Sequence, residues 1–282
     1  NYITALGYPD IDGEDFKKFW PADVHVIGKD ITRFHAIYWP AFLMSADIDV
    51  PKKVYAHGFL TVDGQKMSKS LGNVIDPFEL IEEFGSDATR FYFLREVNFG
   101  NDGDYSHEKC VNRCNADLAN DFGNLAQRSL SMIAKNCEGK VPTPGDLTAE
   151  DQALLNSITP ALEKARAAID ECLLHDAVDA IWSKVGEANR YFANQEPWAL
   201  KKTDPKRMET VLYVTAEAIR QLAIAAQPFT PIGATKFLDV LDIPADKRKF
   251  ANISDADKLR PGAALPAPSP VFKRFEHQAK ED

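Results

Sequence analysis

The stretch that decides the fold is residues 54–73, which read VYAHGFLTVDGQKMSKSLGN. An apolar, strand-like run over 54–62 leads through Asp63-Gly64 into a five-residue string, Lys66 to Ser70, in which two lysines bracket a serine. Asp76-Pro77 follows as a typical helix start, so the pattern predicts a strand, a charged loop and a capped helix in one unit. Two neighbouring ammonium groups can converge on a triphosphate. The string alone is more typical of a solvated surface loop, whereas its flanks favour a phosphate-binding loop.

Composition bounds the class of protein. The chain has 282 residues, 45% of them hydrophobic, which is enough for two domains with apolar cores. Its net charge of −9 argues against a broadly basic surface, so any contact with nucleic acid must be local. No apolar run approaches the ~20 residues that span a bilayer, so no membrane association is expected. The four cysteines form no C-x-x-C pair, which indicates no zinc in this portion and a reducing, cytoplasmic compartment.

The first sixty residues contain a βα unit. A short strand over 24–27, a tight Gly28-Lys29-Asp30 turn and a helix over 31–45 are predicted, and ligands of open α/β sheets bind at such strand-to-helix turns. Ile31, His35 and Trp39 follow at i, i+4 and i+8 on one stripe, which is suitable for lining a pocket. Spacing alone favours the alternative that they are core residues and that a backbone carbonyl satisfies His35.

The rest of the chain is predicted to be mainly helical. Helices are expected over 77–84 and 87–97, a loop with a domain boundary over 98–105, and then a bundle of antiparallel helices over 106–136, 148–171, 177–195, 206–226 and 232–241. From 252 on, prolines predict an extended tail that returns to pack through Val271, Phe272 and Phe275.

Two polar features of the bundle are suitable for reading unpaired bases. Asn120, Asn124 and Arg128 follow at i, i+4 and i+8 on one helix, and their paired donors and acceptors can bind base edges. Pro197-Trp198 lies at a helix break, where an exposed indole can stack on a base. A solvated helix face and a Trp that covers the core are the more ordinary interpretations.

Two motifs together resemble one known family. Residues 55–73 resemble the second signature of class I aminoacyl-tRNA synthetases. Gly28-Lys29-Asp30-Ile31, followed by Phe34-His35 and Trp39-Pro40-Ala41, is similar to the methionyl-tRNA synthetases and not to the branched-chain enzymes. The resemblance covers essentially the whole chain. It implies an α/β plus all-α fold, a partial Rossmann-type nucleotide-binding domain followed by an α-helical anticodon-binding bundle.

The resemblance also implies a division into domains and a set of partners. The expected divisions are the C-terminal half of the Rossmann-type catalytic domain at 1–62, the KMSKS loop and a connecting helical segment at 63–105, the bundle at 106–250 and a return segment at 251–282. The implied reaction is ATP-dependent activation of methionine to methionyl-adenylate and transfer to tRNA(Met). Its expected participants are methionine, tRNA(Met) and ATP with Mg²⁺, and no metal is expected to be bound by this chain's own residues.

Site residues follow from the resemblance position by position. The implied catalytic residues are Lys66, Lys69, Ser68 and Ser70. Those implied for ATP are Gly28, Asp30, His57, Gly58, Leu60 and Lys69. Those implied for methionine are Tyr2, Asp30, Ile31, His35 and Trp39. Those implied for the anticodon are Asn120, Asn124, Arg128, Pro197 and Trp198.

One departure from the family pattern limits these expectations. The family's first signature, H-x-G-H, is absent from the sequence. We therefore expect an incomplete piece with half an active site, inactive in adenylation alone, whose partner is the missing N-terminal part of the same enzyme. Exposed apolar surface is expected in residues 1–60. Two alternatives stay open, a stand-alone tRNA- or RNA-binding module without catalysis and an α-rich interaction protein whose lysine loop is incidental.

Overall fold

The structure, a computed structural model, describes residues 1–98 and 100–277. Two short helices, α1 (Tyr2–Ala5) and α2 (Glu14–Phe19), precede strand β1 (His25–Gly28). β1 pairs in parallel with β2 (Val54–His57), so that Gly28 lies opposite His57. Parallel strands need a crossover, and residues 29–45 provide it as a 3₁₀ turn (Lys29–Ile31), a π-helical turn (Phe34–Tyr38) and helix α3 (Trp39–Ser45). The helix predicted over 31–45 is therefore three different helical turns, which change the angle between successive side chains.

The lysine string lies on a second, three-stranded sheet. Its order is β4 (Gln65–Lys66), β3 (Leu60–Val62) and β5 (Gly103–Tyr105), with β3 antiparallel to β4 and parallel to β5. Asp63 and Gly64 both have positive φ, 48° and 76°, as expected of the tight turn that joins two twisted strands.

Two sequence expectations in this region are wrong. The single strand predicted over 54–62 is broken at Gly58, because Gly58 crosses the backbone of Asn101 so closely that a Cβ would lie 2.2 Å from that residue's carbonyl oxygen. The loop predicted over 98–105 contains β5, although Phe99 of that loop lies outside the described residues. Gly and Asp have low strand propensity, so pairing with β3 determines this strand rather than local preference.

The remaining chain is helical, as expected. Helices α4 to α12 span Pro77–Phe84, Ser86–Glu96, His107–Arg113, Asn124–Asn136, Ala149–Asp170, Leu174–Asn194, Pro197–Thr203, Pro205–Ala226 and Pro231–Val240. A π-helical segment, Cys114–Gly123, joins α6 to α7, so residues 107–136 form the one long helix that was predicted. Helix α10 was not predicted, because the prolines at its two ends are usually breaks. Three 3₁₀ turns follow α12, at Ala245–Lys247, Phe250–Asn252 and Asp255–Asp257.

One continuous apolar core joins α4 to α12, and helix α11 lies at its centre. Residues 210–226 of α11 are all buried, among them the ion pair between Glu217 and Arg220. The Glu217 carboxylate also accepts hydrogen bonds from the side chain of Gln221 and the backbone N–H of Leu259, so its charge is fully compensated. A second, smaller apolar cluster contains Phe16, Trp20, Ala22 and Leu43. None of the helices in the described residues is long and apolar enough to cross a membrane.

Residues 270–277, which belong to the return segment, close the bundle. The side chain of Asn115 forms two hydrogen bonds of 2.8 Å with the backbone of Phe275, one to its N–H and one to its carbonyl. Phe272 contacts Phe237 and Phe275 contacts Phe84, with ring centroids 5.6 and 5.1 Å apart. The predicted packing of Val271, Phe272 and Phe275 is confirmed.

Candidate functional site

A cavity of about 710 Å³ opens beside β1 and the crossover helix. Its wall combines rings and aliphatic groups, which suits an apolar ligand with few polar atoms. The residues that line it are Asn1, Tyr2, Ala22, Val24, His25, Val26, Ile27, Phe34, His35, Tyr38, Trp39 and Phe42.

Three of the five residues expected at a methionine site line this cavity. Tyr2, His35 and Trp39 do so, whereas Ile31 and Asp30 are not among its lining residues. Ile31 ends the 3₁₀ turn, and the π-helical turn that follows breaks the simple i, i+4 stripe. Nδ1 of His35 lies 3.0 Å from the carbonyl oxygen of Ile31, which only accepts, so Nδ1 carries the proton in this contact.

His25 is a cavity residue that the sequence interpretation missed. Its ring centroid lies 5.7 Å from that of Tyr2 and 6.3 Å from that of His35. Burial, and then the neighbouring His35, lower the pKa of His25 below its ordinary value, which favours the neutral ring. Its Nε2 is buried without a hydrogen-bond partner in the part of the chain that the structure describes. Alternation along β1, with His25 and Ile27 on one face, was the available signal.

Four of the six expected ATP-binding residues lie at the carboxyl ends of the two parallel strands, whereas Leu60 begins β3 and Lys69 lies in the lysine loop. Gly28 ends β1 and His57 ends β2, directly opposite each other. A Cβ on Gly28 would lie 2.6 Å from Oδ1 of Asp30, so the glycine leaves room for that carboxylate. Gly58 follows His57, whereas the side chain of Leu60 packs against the core and leaves only its backbone for a ligand. The strand ends are where open α/β sheets bind nucleotides.

The lysine loop is folded on itself. The Asn73 side chain accepts from the N–H of Ser68 at 2.8 Å and donates to the carbonyl of Lys66 at 3.2 Å. The hydroxyls of Ser68 and Ser70 lie 2.7 Å apart. Lys66 and Lys69 are exposed, and over the described ranges 1–98 and 100–277 neither ammonium group forms an ion pair. Both charges are thus available to an anion.

On the helical bundle, Trp198 and Arg128 form one surface. The Arg128 guanidinium lies over the rings of Phe192 and Trp198, 5.1 and 5.5 Å from their centroids. Trp198 remains 46% exposed, whereas Pro197 is buried at the start of α10. An exposed indole backed by a guanidinium is a stacking platform for an unpaired base.

The asparagine part of the predicted stripe has a different environment. Oδ1 of Asn120 accepts two bonds from the guanidinium of Arg274, one from Nε at 2.9 Å and one from Nη2. Asn124 lines a cavity of about 290 Å³ between the helix and the return segment. Arg128 therefore lies with Trp198, while Asn120 is bound to the return segment.

Comparison with known proteins gives the family. The model described as "tRNA synthetases class I (M)" matches residues 1–130, and that of the "Anticodon binding domain of methionyl tRNA ligase" matches residues 141–282. The chain belongs to the methionyl-tRNA ligase family. The inferred class, fold and amino-acid branch are thereby confirmed.

Individual relatives of the methionyl-tRNA ligase family match nearly the whole chain. The methionine–tRNA ligase of Brucella suis is 64% identical over 275 residues, which are 98% of this chain and 53% of the relative. A Mycobacterium tuberculosis methionyl-tRNA synthetase in complex with methionyl-adenylate superposes with a TM-score of 0.92 at 51% identity, covering 97% of this chain and 54% of that one. The chain thus spans about half the length of the relatives that it matches.

Within this family fold, the described residues offer no ready metal centre. No group of three or more His, Cys, Asp or Glu side chains in the described residues is placed to hold a metal ion. The four cysteines are free thiols, with Cys110 and Cys114 buried.

Proposed function

We propose that this chain supplies half of the adenylation site and the anticodon-reading bundle of a methionine–tRNA ligase. The observation that carries the proposal is the apolar cavity of Tyr2, His35 and Trp39 beside the strand ends that lead to the lysine loop. The proposed parts are the sheet half at 1–62, the lysine loop with its connecting helices at 63–105, the bundle at 106–250 and the tail at 251–282. A cytoplasmic location stays a prediction, from the free cysteines.

The proposed chemistry is adenylation followed by acyl transfer. A carboxylate oxygen of methionine attacks the α-phosphorus of ATP in line, an O–P bond forms, and the bond to pyrophosphate breaks. A hydroxyl of the 3′-terminal ribose of tRNA(Met) then attacks the carbonyl carbon of the adenylate, an ester C–O bond forms, the bond from that carbon to the phosphate oxygen breaks, and AMP leaves. These steps need positioning and charge stabilisation more than covalent help from the protein. Lys66 and Lys69 supply positive charge to the leaving pyrophosphate, and Ser68 and Ser70 supply hydroxyl donors.

The cavity is proposed to select methionine by its thioether. A thioether is apolar, polarisable and only a weak acceptor, which suits a wall of aromatic rings with two phenol hydroxyls, those of Tyr2 and Tyr38. Ile31 and Asp30 lie outside this wall, so we assign Asp30 to the amino group or the ribose near Gly28. Mg²⁺ is proposed to arrive with the triphosphate, and we assign no residue of this chain to hold it or zinc.

The tRNA(Met) anticodon is proposed to bind at Trp198 and Arg128. The indole stacks on a splayed base, and Asn124 and Arg128 contact its edge. Pro197 holds the corner from its buried position. Asn120 reaches a base only if Arg274 releases its amide oxygen, so we propose that it acts mainly by holding the return segment.

The other half of the adenylation site is proposed to cover the crossover helix. This segment carries four apolar side chains that are between 57% and 72% exposed, Phe34, Ile37, Phe42 and Met44, of which Phe34 and Phe42 also line the cavity. Large exposed apolar surface is typical of an interaction site. We propose the N-terminal part of the same ligase as its partner.

The test compares two activities of this chain. Because the stacking corner lies wholly within the chain and the adenylation site does not, the chain alone should bind tRNA(Met) in a filter assay but give no ATP–pyrophosphate exchange. Binding should be lost when the CAU anticodon is changed. Exchange at the rate of an intact ligase, or binding indifferent to the anticodon, would contradict the proposal. Anticodon-independent binding would favour the general RNA-binding alternative.

A further inference from the structure

The lysine loop is attached to the rest of the fold by an aspartate on β5. One carboxylate oxygen of Asp104, Oδ1, accepts the N–H of Gly64 at 2.7 Å and the hydroxyl of Thr61 at 2.7 Å. Its other oxygen accepts Nζ of Lys109 at 3.0 Å. Asp104 therefore holds both the turn and the first strand of the β3–β4 hairpin, whose second strand ends at Lys66.

Asp102, two residues earlier, holds the start of the same hairpin. Its Oδ1 accepts the N–H of Phe59 at 2.7 Å, and its two oxygens lie 2.6 and 2.8 Å from Nζ of Lys29. Lys29 belongs to the turn after β1, so this aspartate joins the two strand systems of the site. Two ammonium groups contact the Phe59 ring, with Nζ of Lys29 at 4.7 Å and Nζ of Lys66 at 5.7 Å from its centroid.

Both carboxylates are held in the ionised form that these contacts require. The Gly64 N–H, the Thr61 hydroxyl and Lys109 lower the pKa of Asp104 below its ordinary value. Lys29 and then the Phe59 N–H lower that of Asp102. With Lys29 neutralised by Asp102, Lys66 is the ammonium at this ring whose charge is uncompensated.

We propose that Asp102 and Asp104 are positioning residues for the lysine loop. They fix the hairpin base, and so the location of Lys66 relative to Gly28 and Asp30. Among the residues that the structure describes, the tip at Lys69 is held only by contacts within residues 66–73. A fixed base with a movable tip places one charge permanently at the triphosphate and lets the second close on it. This inference rests on the proposed function and adds two residues outside the signature to its site.

The anchoring is tested on this chain by amide hydrogen exchange, read on peptides that cover residues 60–72. Asp104→Ala should raise exchange in the hairpin about 10-fold, since it removes two bonds to a charged acceptor. Asp104→Asn keeps Oδ1 as acceptor and should restore most of the protection. Lys109→Ala removes only the outer ion pair and should leave exchange unchanged. Unchanged exchange in Asp104→Ala would overturn the anchoring, whatever the enzyme's activity.

Its consequence for activity is tested in the full reading frame that contains this chain. Asp104→Ala should slow adenylate formation about 100-fold, the order expected from displacing a reacting group by an ångström, without changing the Kd for methionine. Asp102→Ala should behave alike, and Asp104→Asn should stay within about 3-fold of wild type. A parallel rise in methionine Kd, or full activity despite faster exchange, would overturn the positioning role. If the wild-type frame forms no adenylate, the proposed function fails while the exchange experiment still decides the anchoring.

Discussion

Removal of Arg207 is predicted to leave a buried charge without its partner. Asp151, whose side chain is fully buried, receives Nη1 of Arg207 at 2.5 Å and Nη2 at 2.8 Å, and the hydroxyl of Tyr191 donates at 2.6 Å. The same guanidinium donates to Oε1 of Gln195 at 2.6 Å, one turn before Trp198. Because a lone buried carboxylate is strongly disfavoured, we expect Arg207→Met to destabilise the chain by about 3–5 kcal/mol at pH 7.

The pH dependence of the free energy of unfolding separates the effect of the buried charge from the effect of lost packing. Burial alone would raise the pKa of Asp151, but Arg207, Tyr191 and the N–H of Thr148 together lower it from 3.8 to about 2. A folded pKa below the unfolded one contributes stability above pH 3.8, here about 2 kcal/mol, which is lost as the pH falls towards 2. Without Arg207, burial dominates and the folded pKa should exceed 3.8. The variant then gains stability relative to wild type on acidification, so the difference in the free energy of unfolding between the two proteins should narrow between pH 7 and pH 4.

Urea unfolding of the chain at pH 7, 5.5 and 4 measures this difference. Arg207→Lys keeps the charge without the paired donors and should fall between wild type and Arg207→Met. Lys206→Met removes the neighbouring exposed charge and should change the free energy of unfolding by less than about 0.5 kcal/mol. If the difference in the free energy of unfolding between Arg207→Met and wild type is constant from pH 7 to pH 4, the loss of stability comes from packing and not from the unpaired Asp151 charge.

Three further outcomes are expected. In the full reading frame, Lys69→Ala should slow adenylate formation about 100-fold and leave the Kd for methionine unchanged. Stopped flow measures both quantities, with the exposed Lys164→Ala as the control. A raised Kd with a normal rate would contradict a role of this lysine in charge stabilisation. Trp198→Ala should weaken tRNA(Met) binding by about 1–3 kcal/mol, and Trp198→Phe should retain most of the binding free energy. If Trp198→Ala lowers methionine activation as much as tRNA binding, the indole has a structural role. Gly58→Ala should lower the free energy of unfolding in urea by about 3 kcal/mol. Gly139→Ala, whose added Cβ has no atom within 4 Å, should lower it by about 1 kcal/mol. Equal losses in the two variants would contradict a steric clash at Gly58.

Local chemistry made much of the fold predictable. Helix α8 begins within one residue of its expected start. Thr148 and Asp151, three residues apart in the sequence, form a reciprocal capping box there. Asp76 likewise caps α4, with its carboxylate accepting the N–H of Phe78 at 2.8 Å. The lysine loop is equally local, since Asn73 lies seven residues from the carbonyl that it binds.

What escaped prediction depends on contacts that are distant in sequence. The three-residue strand β5 exists because it pairs with β3 some forty residues earlier, and its two aspartates gain their roles only from that pairing. The asparagine stripe was inferred from spacing along one helix, and that spacing could not show that Arg274, 154 residues away, binds the side chain of Asn120. Ile31 left the expected stripe because 3₁₀ and π-helical turns replaced a regular helix.

The return segment has a consequence for the order in which the chain opens and closes. Its bonds to Asn115 and Asn120 join residues 160 and 154 positions apart, so loop closure opposes their formation more than that of neighbouring helices. Contacts between residues that are so far apart in sequence form late in folding. A segment that lies on the outside of the bundle opens at a lower free energy than the core of the bundle does. We therefore expect residues 270–277 to be the last part to dock and the first to become accessible to a protease, with Phe84 and Phe237 uncovered each time the segment leaves.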